Sequence, residues 1–382
     1  MTLAARIAKI AATTLASSVA AGALLAGTAG VAAAATTTTA APQLCHTKVV
    51  HYRKAVKVNG HTVRRPATKK VRVCPAQHHA TPAATSPTAA VPADAHWASG
   101  AWPGGTIDAS AANGFASYRG RALDVATVFQ VRDSWSTIAH STWAEDAYQG
   151  FAGTLAIGVP LLPDTNGGTL ADVAAGAHDA DFASFAHNLV NVGRGASIIR
   201  LGWEFDGDWM TWKATDAATY KAAFRRVVGV IRSVAPAVKI DWCGDLGGGN
   251  VGNDDFTQLY PGDDVVDYVG VDAYDRKWFA VTDEASWSTY LHMSYGLAAW
   301  KSFAQAHGKQ LSVPEWGLYA TETGDSAFYV HKMHDFFASN AGILAYEAYF
   351  NESQSYIASS LAGPDQNPQA SAEYRTLWST EG

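Results

Sequence analysis

The chain has 382 residues, of which 48% are apolar, so it can bury the core of a large globular domain. Its net charge of −6 is unevenly distributed: residues 1–95 hold eleven Lys and Arg against one acid, Asp94, whereas the remainder holds 17 Lys and Arg against 33 Asp and Glu. An acidic main domain argues against nucleic acid as its partner and is compatible with an uncharged polymer.

Residues 1–35 have the pattern of a secretory signal peptide. Arg6 and Lys9 precede a long stretch rich in Ala, Leu and Val that ends in four alanines at 32–35. A membrane anchor is the alternative, but the stretch is only weakly hydrophobic because it is rich in Ala, Thr and Gly. We therefore expect a secreted, extracellular protein.

Residues 36–74 form a small basic segment that ends in a region bounded by Cys45 and Cys74. Between these cysteines lie nine Lys and Arg and no acid, and residues 56–63 alternate around Asn59-Gly60. The alternation predicts a β-hairpin. In an oxidising compartment the cysteines are expected to pair, which would stabilise the segment by about 3–4 kcal/mol.

Two interpretations of this basic segment stay open. It binds an anionic cell-wall polymer and so associates the protein with the wall, or it is a solvated spacer held by a disulfide. Residues 75–95 are rich in Ala, Thr, Pro and Ser, lack hydrophobic periodicity and are predicted to be a linker.

A single domain is predicted for residues 96–382. Short apolar strands alternate with helical patterns, as in βαβ units with a parallel sheet, and the helix over 217–234 is the clearest. Eight strands are enough to close a barrel, so the predicted fold class is α/β, a (β/α)₈ TIM barrel. The strands are predicted near 97–102, 123–129, 153–160, 197–203, 238–244, 266–273, 310–315 and 342–350.

Two glutamates follow the fourth and seventh of these strands, at the barrel face where function is placed. Strand alternation predicts that Glu204 shares a face with Arg200 and Gly202, and that Glu315 shares a face with Leu311 and Val313. Glycosidic cleavage requires two carboxylates, one to protonate the departing oxygen and one to attack or stabilise the anomeric carbon. The alternative is that each glutamate forms a salt bridge with an arginine at the barrel rim.

The segment Arg200-x-x-x-Glu204-Phe205-Asp206-Gly207-x-Trp209-x-x-Trp212 resembles glycoside hydrolase family 26, whose best-known members are β-mannanases. Residues 268–274 also resemble the sixth strand of that family. The resemblance implies a retaining glycosidase in which Glu204 is the acid/base, Glu315 is the nucleophile and Tyr274 hydrogen-bonds the nucleophile.

Three residues depart from the family pattern. Leu201 stands where the family has proline, Trp203 where it has histidine before the acid/base, and Asp206 where it has asparagine. Loss of the histidine would alter the −1 subsite, and the aspartate adds a negative charge. These departures do not change the predicted reaction type, but they leave open which sugar the polymer contains.

The chain contains 13 Trp, and indole faces bury the apolar faces of sugar rings well. Core packing is the alternative for each one, and Trp316 is the first candidate for a −1 platform because it follows Glu315. Arg200 either steadies the carboxylates or pairs with an interior acid such as Asp241 or Asp272. The predicted substrate-binding residues are Arg200, Trp203, Trp209, Trp212, Tyr274, Trp278 and Trp316.

Other patterns do not support a metal or cofactor site, and we expect neither. The glycine-rich run at 247–252 is not followed by a helical pattern, so it is interpreted as a loop. His331 and His334 have ligand spacing but no third ligand and are expected on a helix surface. Cys243 is expected to be a buried, unpaired thiol, and Glu347 is a third acid too early in its strand to rival the pair.

The sequence therefore predicts a secreted endo-β-glycanase, a monomer, with β-mannan as the first substrate to test. One alternative keeps the reaction but changes the substrate to another cell-wall or exopolysaccharide glycan. The other is a carbohydrate-binding barrel without catalysis.

Overall fold

The computed structural model describes residues 46–58, 61–73, 96–248, 255–363 and 366–379. They fall in two compact units, a hairpin and a barrel. The predicted signal peptide, the linker at 75–95 and the Cys45–Cys74 disulfide lie outside the described residues. Over the described ranges, every helix is too short or too polar to cross a membrane.

The first unit is an antiparallel pair of strands, β1 (His46–Val58) and β2 (His61–Val73). The register places Val58 opposite His61 at one end and His46 opposite Val73 at the other.

The second unit is a closed parallel barrel of eight strands in the order β10-β3-β4-β5-β6-β7-β8-β9. All eight strands coincide with predicted ones, so the (β/α)₈ fold class is confirmed. Their bounds are β3 (Ser99–Trp102), β4 (Val125–Phe129), β5 (Thr154–Val159), β6 (Ile198–Leu201), β7 (Lys239–Asp245), β8 (Tyr268–Asp275), β9 (Gln310–Leu318) and β10 (Leu344–Phe350).

Helices cover the outside of the barrel. The predicted helix over 217–234 is α6, where Asp216 caps the first turn by accepting from Thr219 N, and Tyr220, Phe224 and Ile231 are buried on one side. The helices are α1 (Ala109–Arg119), α2 (Trp135–His140), α3 (Trp143–Ala147), α4 (Leu170–Ala174), α5 (Asp179–Asn191), α6 (Ala217–Val234), α7 (Glu284–His292), α8 (Leu297–Ala306), α9 (Ala320–Thr323), α10 (Ala327–Ser339) and α11 (Pro368–Trp378).

Side chains fill the barrel lumen in layers. Val125, Ala156, Ile198 and Tyr346 pack together as an apolar layer. Next to this layer is the buried Asp241, whose carboxylate accepts from Ser312 Oγ at 2.9 Å and Tyr346 Oη at 2.7 Å. The lumen is therefore a packed core, and chemistry is confined to its open end.

Strand β9 contains an irregularity that decides which way Glu315 points. Between Gly270 and Ala273 of β8 the partner residues advance from Ser312 to Trp316, so β9 has one extra residue there. Ser312 and Glu315 consequently both reach interior side chains although they are three positions apart. The prediction that Leu311, Val313 and Glu315 share a face is wrong, because it assumes an unbroken period of two.

Buried tryptophans pack between the strands of the barrel and α11. Glu347, on the outer side of β10, accepts from Trp378 Nε1 at 3.1 Å and also from Trp316 Nε1 and Ser99 Oγ. His334, expected on a helix surface, is buried with its ring 5.1 Å from that of Trp378. Glu347 thus has a structural task away from the open end of the barrel.

Replacing Trp378 with alanine is expected to lower the free energy of unfolding by about 3–5 kcal/mol, because it removes a fully buried indole and one donor to Glu347. Chemical denaturation measures the change. Trp143→Ala is the control, since that ring is 49% exposed, and should change stability by less than about 0.5 kcal/mol. Similar losses in the two variants would contradict this role for Trp378.

Candidate active site

Glu204 reaches the open end of the barrel by a left-handed turn. Strand β6 ends at Leu201, and both Gly202 (φ 53°) and Glu204 (φ 49°) have positive φ. A Cβ on Gly202 would lie 2.7 Å from Leu161 Cδ1, so glycine is required there. Simple alternation of Arg200, Gly202 and Glu204 is therefore wrong, although Glu204 does arrive at the predicted site.

The backbone of Glu204 is held in this conformation by the neighbouring strand. Its N–H donates to the carbonyl of Cys243 in β7 at 2.9 Å. A residue other than glycine in the left-handed region costs on the order of 1–2 kcal/mol, and such strain is concentrated at functional sites. The left-handed backbone conformation of Glu204 is therefore typical of a residue at a functional site.

Glu315 lies at the same end and is 6% exposed. Arg200 Nη1 donates to one carboxylate oxygen at 2.7 Å, and Tyr274 Oη donates to the other at 2.8 Å. Both oxygens are thus held by donors from two other strands. This arrangement places a guanidinium against one oxygen and fixes the orientation of the carboxylate.

Arg200 is fully buried and divides its guanidinium between two acids. While Nη1 binds Glu315, Nη2 donates to both carboxylate oxygens of Asp272 at 2.6 and 2.8 Å. Both roles predicted for Arg200 are therefore present, and the interior partner is Asp272 rather than Asp241. Cys243, buried and unpaired as predicted, lies 3.2 Å through its Sγ from Asp272 Oδ1.

The carboxylates of Glu204, Asp272 and Glu315 converge. One oxygen from each lies within 4.8 Å of the others. Burial, followed by the nearby charge of Glu315, raises the pKa of Glu204 to about 7, and the hydrogen bond from Trp209 Nε1 (2.7 Å) opposes that rise. Within the described residues Glu204 forms no salt bridge, so no directly paired cation favours the loss of its proton.

Such a group of three carboxylates has the donor set of a cation site. Here the buried guanidinium of Arg200 already supplies positive charge to two of them. Two of the three carboxylates are therefore already paired with a cation that the protein itself supplies.

Asp206, one of the three residues that depart from the family pattern, is buried, and burial disfavours its ionised form. Its Oδ1 accepts from the backbone N–H of Asp245 at 2.9 Å, and burial raises the pKa of Asp206 to about 7. A second of these three residues, Trp203, packs against Phe129 and Trp212, with ring centroids 5.1 and 4.6 Å away. Packing therefore accommodates the Trp203 ring, and a raised pKa lets Asp206 be buried as the neutral acid.

Sequence reasoning named one of two further acids at this end of the barrel, Asp272, and missed the other, Asp245. Asp272 holds Arg200, and Asp245 ends β7, where desolvation and the charge of Glu204 raise its pKa. Extending the alternation of Asp241 and Cys243 by one step would have found Asp245. Asp272 was named only as a possible partner of Arg200.

The tryptophans predicted to bind substrate separate into two groups. Trp212 and Trp316 are fully buried and Trp203 is 3% exposed, so none presents a free face to a sugar. Trp316 in particular points away from the lumen, where its Nε1 donates to Glu347. The assignment of these three rings as sugar platforms is wrong, and their burial is explained by core packing.

Trp209 and Trp278 remain available to a substrate. Trp209 is 52% exposed, lies over Gly207 and hydrogen-bonds Glu204. Trp278 is 73% exposed, and Lys277 Nζ lies 4.5 Å from its ring centroid. Both follow barrel strands on the side where the carboxylates converge.

Comparison with known proteins bears on this site. Residues 179–351, which include β6 to β10 and both glutamates, match the model of glycosyl hydrolase family 26. Over 221 residues the chain is 28% identical to endoglucanase H of Acetivibrio thermocellus, covering 55% of this chain and 22% of that protein. Over 134 residues it is 30% identical to a mannan endo-1,4-β-mannosidase of Bifidobacterium adolescentis, covering 34% and 13%. The matched segments thus span less than a quarter of either relative.

Solved structures support the fold. A modular endo-β-1,4-mannanase from Cellulomonas fimi superposes with a TM-score of 0.53 at 17% identity, over 70% of this chain and 67% of that one. The hyperthermostable endo-1,4-β-D-mannanase from Thermotoga petrophila does so with a TM-score of 0.52 at 12% identity, over 74% and 98%. At these identities the likeness concerns the barrel alone.

The closed barrel has the (β/α)₈ fold, and residues 179–351 of the chain are similar to glycosyl hydrolase family 26. The matched segment is less than half of the chain, and within it Leu201, Trp203 and Asp206 depart from the pattern of that family.

The raised pKa of Glu204 predicts a pH-dependent effect of Glu204→Gln on stability. A folded-state pKa near 7 against an ordinary value of 4.5 means that the folded protein keeps a proton which the unfolded chain has lost. The free energy of unfolding of the wild type therefore falls as pH rises between these values. The variant does not lose stability in this way, because its glutamine does not titrate.

Thermal unfolding should show equal midpoints for Glu204→Gln and wild type near pH 4, and a rising advantage for the variant up to pH 7. Asp208→Asn, an exposed acid on the same loop, controls for net charge. An advantage that is the same at every pH would contradict the assignment.

Proposed function

We propose that this protein is a retaining endo-β-glycanase that acts on β-linked polysaccharide, with β-1,4-mannan as the first substrate. The observation that carries the proposal is the approach of Glu204 and Glu315 to within 4.8 Å. Retaining glycosidases hold their two carboxyl groups ~5–5.5 Å apart, whereas inverting enzymes need a wider gap that admits a water molecule.

In the first step Glu315 attacks the anomeric carbon while Glu204 gives its proton to the departing glycosidic oxygen. The products are a covalent glycosyl–Glu315 ester and the released half of the polymer. The donors Arg200 and Tyr274 hold the Glu315 carboxylate in the orientation for attack. A pKa of about 7 keeps Glu204 protonated in a large fraction of molecules at neutral pH.

In the second step Glu204 removes a proton from water, and the resulting hydroxide attacks the anomeric carbon and releases Glu315. The change of role has an electrostatic cause. The charge of Glu315 contributes to the raised pKa of Glu204, and that charge is absent in the glycosyl ester. The pKa of Glu204 therefore falls when the base is needed and rises again when Glu315 is freed.

The choice of polymer rests on the relatives and on the exposed aromatic rings. One matched relative is named a mannan endo-1,4-β-mannosidase and the other an endoglucanase, so β-glucan is the second candidate. Trp209, beside Glu204, and Trp278, beyond β8, are the proposed stacking platforms for sugars on either side of the scissile bond.

We further propose that the protein is exported through the leader at residues 1–35. A β-glycan polymer lies outside the cell, so export would bring the enzyme to its substrate. Sequencing the amino terminus of protein recovered from culture medium would test this, with cleavage expected near residue 35.

The central test measures the release of reducing sugar from β-mannan, β-glucan and β-xylan. Wild type is expected to act on β-mannan, and Glu204→Ala and Glu315→Ala are expected to lower the rate by at least about 100-fold, because each removes a reacting carboxyl group. Glu373→Ala, a carboxylate on α11 that pairs with His331, is the matched control and should keep full activity. Full activity in both site variants would overturn the mechanism.

Azide with an activated aryl glycoside separates the two roles. In Glu315→Ala, azide attacks the anomeric carbon directly and should give a product of inverted configuration. In Glu204→Ala, azide displaces Glu315 from the glycosyl ester and should give a product of retained configuration. Binding of polymer with no cleavage by wild type would instead support a carbohydrate-binding barrel.

Trp209→Phe should extend activity to higher pH. Phenylalanine keeps an aromatic ring but lacks the N–H that lowers the pKa of Glu204, so the acid stays protonated further into the alkaline range. The alkaline limb of kcat/KM against pH is therefore expected to move upward. Trp278→Phe is the control, and a shift of equal size there would contradict the role of the Trp209 indole.

A further inference from the structure

Asp245 lies on the arc of the barrel rim between the two glutamates. The strand order β6-β7-β8-β9 places β7, which ends at Asp245, between the strand that leads to Glu204 and the strand that contains Glu315. Besides burial, which is the largest cause, the charges of Glu204 and Glu315 raise the pKa of the Asp245 carboxyl, so both lie within electrostatic reach of it. A sugar ring held between the two glutamates would therefore lie beside Asp245.

The carboxyl of Asp245 has no hydrogen-bond donor within the part of the chain that the structure describes, although the residue is only partly exposed. The other acids at this end each accept at least one hydrogen bond: Glu204, Asp206, Asp272 and Glu315. A polar group that is partly withdrawn from water and left unpaired costs free energy, which a ligand that pairs with it would recover.

The backbone that carries this carboxyl is fixed on both sides. The N–H of Asp245 donates to Asp206 Oδ1 at 2.9 Å, and the N–H of Leu246 donates to the carbonyl of Asp272 at 3.0 Å. The side chain is thus attached to a strand end that is already in place before a ligand arrives. Such an arrangement favours binding, because little backbone freedom remains to be lost.

The charges around Asp245 favour an uncharged polar ligand. Its raised pKa favours the neutral carboxyl, which has one O–H donor and an acceptor oxygen, the same combination that a sugar hydroxyl has. Arg276, which follows β8, adds positive charge nearby, and its Nη1 takes no part in the hydrogen bonds that Nε and Nη2 donate to Glu322. The guanidinium opposes a cationic substituent on the sugar, and the ionised acids oppose an anionic one.

We propose that Asp245 is a substrate-binding residue whose carboxyl hydrogen-bonds hydroxyl groups of the sugar ring held between Glu204 and Glu315. The assignment rests on the proposed glycanase function, because it takes a sugar as the ligand of the cleft. Asp245 contributes affinity for that ring, whereas Glu204 and Glu315 keep the transfer of the proton and the attack on the anomeric carbon.

Binding is measured in protein that carries Glu204→Gln, so that a glycan is bound without being cleaved. The glutamine keeps an acceptor for Trp209 Nε1 and leaves the ion pairs of Arg200 in place. Calorimetric titration with manno- and cello-oligosaccharides compares Asp245, Asp245→Asn and Asp245→Ala in this background. Glu373→Ala, which removes a carboxylate on α11 outside the site, is the control.

Asp245→Ala is expected to lower the affinity at least about tenfold, because it removes both the donor and the acceptor. Asp245→Asn keeps one of each and should bind within about threefold of its parent, as should the Glu373→Ala control. The thermal midpoint of unfolding should be unchanged or higher in both Asp245 variants, because the carboxyl has no hydrogen bond to the described residues that could be lost.

Equal affinities of Asp245→Ala and its parent, for every glycan that the parent binds, would overturn the assignment whether or not the wild type cleaves that glycan. A midpoint several degrees lower in Asp245→Ala would show a structural role instead. A loss in Asp245→Asn as large as in Asp245→Ala would contradict hydrogen bonding by a neutral carboxyl. Absence of cleavage by the wild type, with the expected differences in affinity intact, would overturn the proposed function alone, and absence of binding by the parent would overturn both.

Discussion

The open end of the barrel depends on one buried guanidinium. Arg200 is fully buried and binds Glu315 with one nitrogen and Asp272 with the other. Removing one partner of such a pair costs about 3–5 kcal/mol, because the remaining charge stays desolvated. Asp272 thus allows Arg200 to lie in the core, and Arg200 allows Glu315 to be a buried carboxylate. The unpaired Glu204 beside them then becomes the group that holds a proton.

This asymmetry is the physical basis for assigning different roles to two glutamates of the same chemistry. Glu315 has a cation and a phenol as donors, whereas Glu204 has one indole N–H and the negative charge of Glu315 nearby. An acid and a nucleophile must differ in protonation at the working pH. The difference here comes from which carboxylate the guanidinium reaches, because Arg200 lies in the strand that leads to Glu204 but binds Glu315. Two of the three divergent residues, Trp203 and Asp206, are buried beside this arrangement, and the charge of Asp206 makes a smaller contribution to the raised pKa of Glu204.

The sequence was sufficient for the eight strands and both glutamates, because strand-length apolar runs and strand-end acids are local signals. It was insufficient for side-chain direction. The extra residue in β9 and the left-handed Glu204 both break the period of two on which direction was argued. Trp316 shows the consequence: adjacency to Glu315 suggested a sugar platform, yet the residue after an inward-pointing one points outward into the helices. Tertiary packing, which the sequence does not display, decides which tryptophans remain exposed.

Charge is divided along the chain between a basic amino-terminal part and an acidic barrel. The excess of acids in residues 96–382 would repel an anionic polymer, so the charge of the barrel is compatible with the uncharged polymer proposed as its substrate. The hairpin has the opposite charge and no acid. Electrostatics therefore gives the two units opposite preferences among charged ligands.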